Sequence, residues 1–281
     1  MKVRDVEHLG LAAIELVERG TRLVLVHAVG PRIAWFGRAR ADNLLFWDLA
    51  GEHRRGAWQL RGGHRLWLTR PGADESDETY LPDNAPCRVR RTTTAVTATA
   101  PIVGGLERSL AIDWSRDAWM IIHRIRNASE LLWSGGIWAL TCTEPRRGTE
   151  YRIPLGGGPP AWDVTTIVVP RRWGGTHTSR VDDPQIELTD DAVVVRPQGA
   201  RSLEAKRMIL APRGTLEMID PTRGTFSKTA AYDRTRRYPL DTNVACYVGP
   251  RSFMVELETM GPLVTLAPGE SLTHVERWAL R

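Results

Sequence analysis

Glu256 and Glu258 stand two residues apart in the run Phe253-Met254-Val255-Glu256-Leu257-Glu258-Thr259-Met260. In an extended strand alternate residues share a face, so Phe253, Val255 and Leu257 suit a core. Met254, Glu256, Glu258 and Met260 point the other way. Two carboxylates between methionines fit a semi-enclosed pocket, where burial raises a carboxyl pKa toward working pH. An edge-exposed pair bound by neighbouring arginines is the plainer alternative. The two backbones lie about 6–7 Å apart, near the carboxyl separation used by glycoside hydrolases. Neighbours on one strand seldom flank both sides of a substrate, however, so a polysaccharide lyase or hydrolase is the weaker reading.

Two histidines offer a proton partner for such a carboxylate. His64 follows Gly62-Gly63, which permit close backbone approach, and precedes Arg65 and Trp67. His123 shares an alternating strand face with Trp119 and Ile121, which suits a core histidine as well as a catalytic one. Asp83 and Asn84, in Tyr80-Leu81-Pro82-Asp83-Asn84, carry strong turn chemistry and either close a pocket rim or fix the turn. His274, Glu276 and Trp278 share one face of the last apolar run, an arrangement expected of a hydrogen-bonded anchor between sheets.

The elements that position these residues read as strands. Leu23 to Val29, Arg32 to Phe36, Thr92 to Thr99, Ala118 to Arg126, Val164 to Val169, Ala192 to Val195 and Phe253 to Thr259 are short apolar or β-branched runs separated by turn signals. Pro and Gly interrupt the chain too often for long helices. Leu203 to Leu210 is the one stretch that reads as either helix or strand. Many short strands with no linker, repeat or low-complexity tract predict one all-β sandwich domain over residues 1–281.

Composition narrows the function. The 11 Trp among 281 residues exceed the 4 Phe and 5 Tyr. Some must plate a broad core, and a few flat rings, such as Trp67 and Trp138, suit a ligand with apolar C–H faces, as sugars have. The net charge of +5 comes almost wholly from arginine, since the lysines are Lys2, Lys206 and Lys228. That charge is spread along the chain rather than gathered on one stripe, which argues against nucleic acid. It is compatible with an acidic ligand such as a uronic acid or sugar phosphate. Cys87, Cys142 and Cys246 are widely spaced and predict neither disulfides nor a zinc site. No apolar leader or membrane-length run is present, so a cytoplasmic, reduced protein with no membrane partner is expected. No nucleotide-binding glycine motif or metal motif occurs, and no cofactor or metal is expected.

Four segments are more specific. They are Gly30-Pro31-Arg32-Ile33-Ala34-Trp35-Phe36-Gly37, then Gly62-Gly63-His64-Arg65-Leu66-Trp67 with the Tyr80 to Pro86 loop. His123 to Ser129 leads into Trp138-Ala139-Leu140-Thr141, and the last is the run from Val255 to Trp278 with Pro268-Gly269-Glu270. In that order they resemble the galactose mutarotase-like (aldose 1-epimerase-like) superfamily, from about Val24 to Trp278. The resemblance implies a large two-sheet antiparallel β-sandwich, or supersandwich, acting on a small-molecule or oligosaccharide carbohydrate. An enzyme of this kind opens a sugar ring at the anomeric centre with one base and one acid. The resemblance places the base at Glu258, in Glu258-Thr259. It assigns sugar binding to Arg32 and makes His64 the first of the family histidines. Arg65, Trp67, Asp83, Asn84, Trp138 and Glu256 would complete a substrate pocket. One departure stands out: the stretch Trp133 to Glu144, where the family acid histidine lies, contains no histidine. Either His64 or His123 has taken the acid role, or the chain is a non-catalytic carbohydrate-binding protein on the same scaffold.

Overall fold

The β-branched and alternating runs form antiparallel strands. The computed structural model describes residues 1–55, 58–69, 81–115, 117–156, 164–174 and 176–281. Two large sheets face each other across a core that includes Ile14, Leu25, Phe36, Trp119, Tyr151, Phe226, Leu257 and Trp278. The centre of the first sheet runs Arg32–Arg38, His64–Thr69, Trp133–Thr143, Val255–Met260, Val244–Val248 and Ala205–Ile209. The centre of the second runs Thr215–Asp220, Gly224–Ala230, Ser271–Leu280, Ala118–Asn127 and Leu106–Ser115. The ambiguous stretch Leu203 to Leu210 is a strand over Ala205–Ile209, paired with Val244–Val248. Among the described residues, helix is confined to short 3-10 turns such as Leu81–Asn84. None is long and apolar enough to cross a membrane.

Register aligns the polar residues into rows. Leu140 lies opposite Arg65 on one side and Glu258 on the other, while Trp138 lies opposite Trp67 and Met260. Glu256 faces Cys142 and Tyr247, and Tyr247 faces Lys206. These rows share the face of the first sheet turned away from the second. The intervening residues, His64, Thr141, Leu257 and Thr259, point into the space between the sheets. Gly62 and Gly63 bring the His64–Thr69 strand into place. Both have positive φ, and a Cβ would lie 2.3 Å from Phe46 O and Ile33 O respectively.

The space between the sheets is not wholly apolar. Lys228 Nζ lies 2.7 Å from Glu276 Oε1 and donates to Thr141 Oγ1 at 2.8 Å and Leu257 O at 3.0 Å. Trp278 Nε1 donates to Glu276 Oε2 at 2.7 Å, and the Thr259 hydroxyl donates to Oε1. Burial works against the Glu276 charge, yet Lys228 beside it holds the carboxyl well below the usual range. His64, His123 and His274 surround this pair. Burial depresses all three pKa values, His274 to about 3.

Depressed histidines carry a sign for stability. As pH falls, the unfolded chain takes up protons first, so stability is complete above about pH 6.5 and is lost as pH falls through the folded-state values. A group neutral in the folded chain loses about 1.4 kcal/mol per pH unit below about 6.5. His274, at about 3, alone predicts a loss of about 1.4 kcal/mol between pH 7.5 and 5.5, with His64 and His123 adding in the same direction. Urea denaturation at the two pH values measures it; a level stability would mean that the imidazoles reach water or carry charge when folded.

Candidate functional site

A cavity of about 640 Å³ opens on the outward face of the first sheet, within the range of small-molecule sites. Trp67 and Trp138 meet edge-to-face there, their ring centroids 5.7 Å apart. Trp58 and Trp173 add further aromatic wall. Arg65 stacks over Trp67 at 4.3 Å, and Lys206 lies over Trp138 at 4.5 Å, so each cation rests on an aromatic face.

The polar groups are paired. Arg65 Nη2 donates to Glu256 Oε1 at 2.9 Å, and Cys142 Sγ lies 3.2 Å from the same oxygen. Lys206 Nζ is 3.3 Å from Glu258 Oε2, which also accepts from Trp138 Nε1 at 2.8 Å. Glu256 lines the cavity, whereas Glu258 is fully buried and its Oε1 has no hydrogen-bond partner. Burial raises the Glu258 pKa, with Lys206 pulling the other way. The strand alternation thus gives both glutamates one face, with Glu256 exposed to the cavity and Glu258 enclosed by Trp138 and Lys206.

The expected histidines lie elsewhere. His64 and His123 are fully buried between the sheets, on the opposite face from Arg65 and Trp67. Their protons are fixed by their neighbours. His123 Nδ1 lies 3.0 Å from His274 O, which can only accept, so Nδ1 carries the hydrogen and Nε2 accepts. His64 Nε2, 2.7 Å from His123 Nε2, is then the donor, and His64 Nδ1 accepts from Thr141 Oγ1 at 2.8 Å. Thr141 in turn accepts from Lys228. Every ring nitrogen of this pair is committed to the protein, and neither imidazole lines the cavity. His64, His123 and Glu276 do bring three potential metal ligands within 4.8 Å of one another. The two Nε2 atoms sit at hydrogen-bond distance, closer than the roughly 3.3 Å that two tetrahedral bonds of about 2.0–2.1 Å to zinc require. With Lys228 already on the carboxylate, the arrangement is a hydrogen-bonded network.

Arg32, expected to hold sugar hydroxyls, is fully buried beneath the loops. It donates to Leu60 O, Gly62 O and Asp83 O and pairs with Asp83 Oδ2 at 2.9 Å. Asp83 also accepts from Trp58 Nε1 at 2.9 Å. Asn84 bonds Gln59 O and Arg61. Of the two roles open to Asp83 and Asn84, the geometry gives them the turn: they hold the segment that presents Trp58. Tyr80 lies outside the described residues. Arg65, Trp67, Trp138 and Glu256 are the expected substrate contacts that line the cavity.

Sequence reasoning missed a further group. Glu204 accepts from His177 Nδ1, from Tyr247 OH at 2.6 Å and from the Thr178 amide at 3.0 Å. Burial opposes its charge, but these bonds outweigh burial and hold the carboxyl below its ordinary value. His177 stacks on Trp173 with ring centroids 5.3 Å apart. No periodic pattern marks these residues. The signal for Lys206 was rarity, since few lysines occur and two of them, Lys206 and Lys228, are buried against glutamates.

No protein-family model matches the chain, and no curated protein matches it. Solved structures do. A provisionally assigned aldose 1-epimerase from Escherichia coli K12 superposes with a TM-score of 0.67 at 12% identity, covering 97% of this chain and 99% of that one. A galactose mutarotase related enzyme from Lactobacillus acidophilus gives 0.63 at 10% identity, with 96% and 97% covered. A galactose mutarotase-like protein from Lactobacillus casei ATCC 334 gives 0.58 at 9% identity, with 96% and 100% covered. The fold is that of the galactose mutarotase-like proteins. On this mutarotase-like scaffold the expected base position, Glu258, is sealed by Trp138 and neutralised by Lys206.

Removing one member of that buried pair leaves an uncompensated charge. Lys206→Met is expected to destabilise the chain by about 3–5 kcal/mol, and Glu258→Gln in the same chain is expected to restore most of it. Urea denaturation of the two single variants and the double variant measures the coupling. A neutral Lys206→Met would mean that Glu258 is uncharged in the folded protein.

Proposed function

We propose that this protein binds a carbohydrate in the Trp67–Trp138 cavity and does not catalyse anomer exchange through the buried histidines. The observation that carries the reading is the cavity itself. A space of about 640 Å³ is bordered by the indoles of Trp58, Trp67, Trp138 and Trp173 with Arg65, Lys206 and Glu256. Arg65 and Lys206 lie over Trp67 and Trp138, so the half-buried Trp58 and Trp173 are the more open rings. A sugar ring offers C–H faces to such indoles and hydroxyls that donate to Glu256 and accept from the guanidinium and ammonium groups. The names carried by the structural neighbours, aldose 1-epimerase and galactose mutarotase, agree with a sugar as ligand. The position of His64 and His123 behind the sheet favours binding over ring opening.

One arrangement favours a second reading. His177, held by the Glu204 carboxylate, lines the same cavity as Glu256. An imidazole oriented by a carboxylate is a suitable proton donor, and Glu256 is a candidate base. Ring opening would then run through Glu256 and His177, with Glu258 in support.

Saturation-transfer and exchange NMR with freshly dissolved neutral and acidic sugars separates the readings. The expected result is binding of a hexose with no change in its rate of anomer exchange, and affinity about tenfold weaker in Glu256→Gln. Acceleration by wild type that is lost in His177→Asn and Glu256→Gln would establish the second reading. No contact with any sugar would remove both.

A further inference from the structure

Trp138, Trp173 and Lys206 are walls of two hollows, not one. The second, of about 230 Å³, is lined by these three residues together with Val168, Met208, Met260 and Leu240. Its wall is mostly aliphatic, indole and thioether, with Thr69, Lys206 and Arg172 as its polar members. Apolar hollows of about 150 Å³ hold a benzene ring, so this one is large enough for a phenyl group or a short alkyl chain.

Two independent features indicate an occupant. The Thr69 hydroxyl, which lines the hollow, is 2% exposed and its Oγ1 has no hydrogen-bond partner. A buried hydroxyl in this state is costly unless a ligand atom meets it. Leu240, which also lines it, is 56% exposed and sits at φ 50, ψ 29, a left-handed conformation that a branched side chain disfavours. An exposed leucine held in that conformation beside an apolar hollow has a function once an apolar group covers it.

We propose that this hollow is a subsite for an apolar group carried by the bound sugar. The ligand class is a glycoside with an aromatic or short alkyl substituent, rather than a free monosaccharide. The proposal rests on the carbohydrate reading above. The sugar ring occupies the larger cavity. Its substituent passes Lys206 into the smaller hollow, where Met208, Met260 and Leu240 cover it and Thr69 meets the linking oxygen. Continuity carries the assignment, because the same indole of Trp138 and the same ammonium border both spaces.

Titration calorimetry with methyl and phenyl glycosides of a panel of hexoses, and with phenol alone, tests it. Phenyl glycosides are expected to bind about tenfold tighter than their methyl counterparts, with phenol far weaker than either. Leu240→Asp, at an exposed left-handed position that aspartate tolerates, is expected to cut the phenyl-to-methyl ratio at least about threefold; Met208→Phe, which fills the hollow, does the same by a different route. Equal affinities for methyl and phenyl glycosides would overturn the subsite and leave the sugar cavity standing. Binding of phenol as tightly as the phenyl glycoside would show a hollow unconnected to sugar. No binding by any glycoside would overturn the subsite and the carbohydrate reading together.

Discussion

The Lys228–Glu276 ion pair, sealed between the two sheets, sets the terms for the groups around it. A charge pair out of water is tolerated only when its remaining donors and acceptors are met. Here Lys228 reaches across to Thr141 Oγ1 and Leu257 O of the facing sheet, and Glu276 collects Thr259 and Trp278. The bonds to Thr141, Leu257 and Thr259 cross the core and are directional, so they fix how one sheet sits on the other more tightly than apolar contact alone. The histidines follow from the same pair. A charged imidazole beside Lys228 would be repelled and desolvated, so His64, His123 and His274 are held neutral. One chain of hydrogen bonds runs from Thr141 through His64 and His123 to the His274 carbonyl, and a second from the His274 ring through Thr259 to Glu276.

Strand alternation then divides the chemistry of the first sheet into two layers. His64 and Arg65 are adjacent, as are Leu257 and Glu258, and Thr141 and Cys142, yet each pair faces opposite ways. The inner layer is committed to the fold, and the outer layer faces the cavity. Glu258 belongs to the outer layer but is closed off by Trp138 and Lys206. The carboxylate that the mutarotase resemblance makes a base therefore lies beneath the cavity floor, behind Trp138 and Lys206.

Much of this was legible in the sequence, and the same rule that made it legible also exposes the misplacement. The period-two pattern around Glu256 and Glu258 assigned their face, and that of His274, Glu276 and Trp278 marked the anchor between sheets. Applied to Gly62-Gly63-His64-Arg65-Leu66-Trp67, the pattern puts His64 with Leu66 and Arg65 with Trp67, so His64 and Trp67 could not both face one pocket. Arg32 escaped for a different reason: its partners, Leu60 O, Gly62 O and Asp83, come together through loops, and loop paths leave no periodic trace. The wall built from Trp173, His177 and Glu204 was illegible on the same ground, since short strands of two residues carry no period to read.

The net charge of the chain is a poor guide to what the cavity accepts. Many arginines are matched on the surface, as Arg196 is by Glu150 and Arg146 is by Asp42. Within the cavity, Arg65 is held by Glu256 and lies 4.0 Å from Asp83, while Lys206 is held by Glu258. An anionic ligand bound through Lys206 or Arg65, rather than through Arg54 at the same cavity, would draw that cation away from a carboxylate with few other donors. For Glu258 that would leave a buried charge with Trp138 as its remaining donor, a state that costs several kcal/mol, on the order of 3–5. A neutral ligand faces no such exchange. Its hydroxyls can donate to Glu256 and accept from Arg65 while the ion pair stays intact, and its apolar faces lie on the indoles. For the carbohydrate proposed here, the pairs at Arg65 and Lys206 favour a neutral ring beside them, and an acidic group of the ligand is better placed toward Arg54.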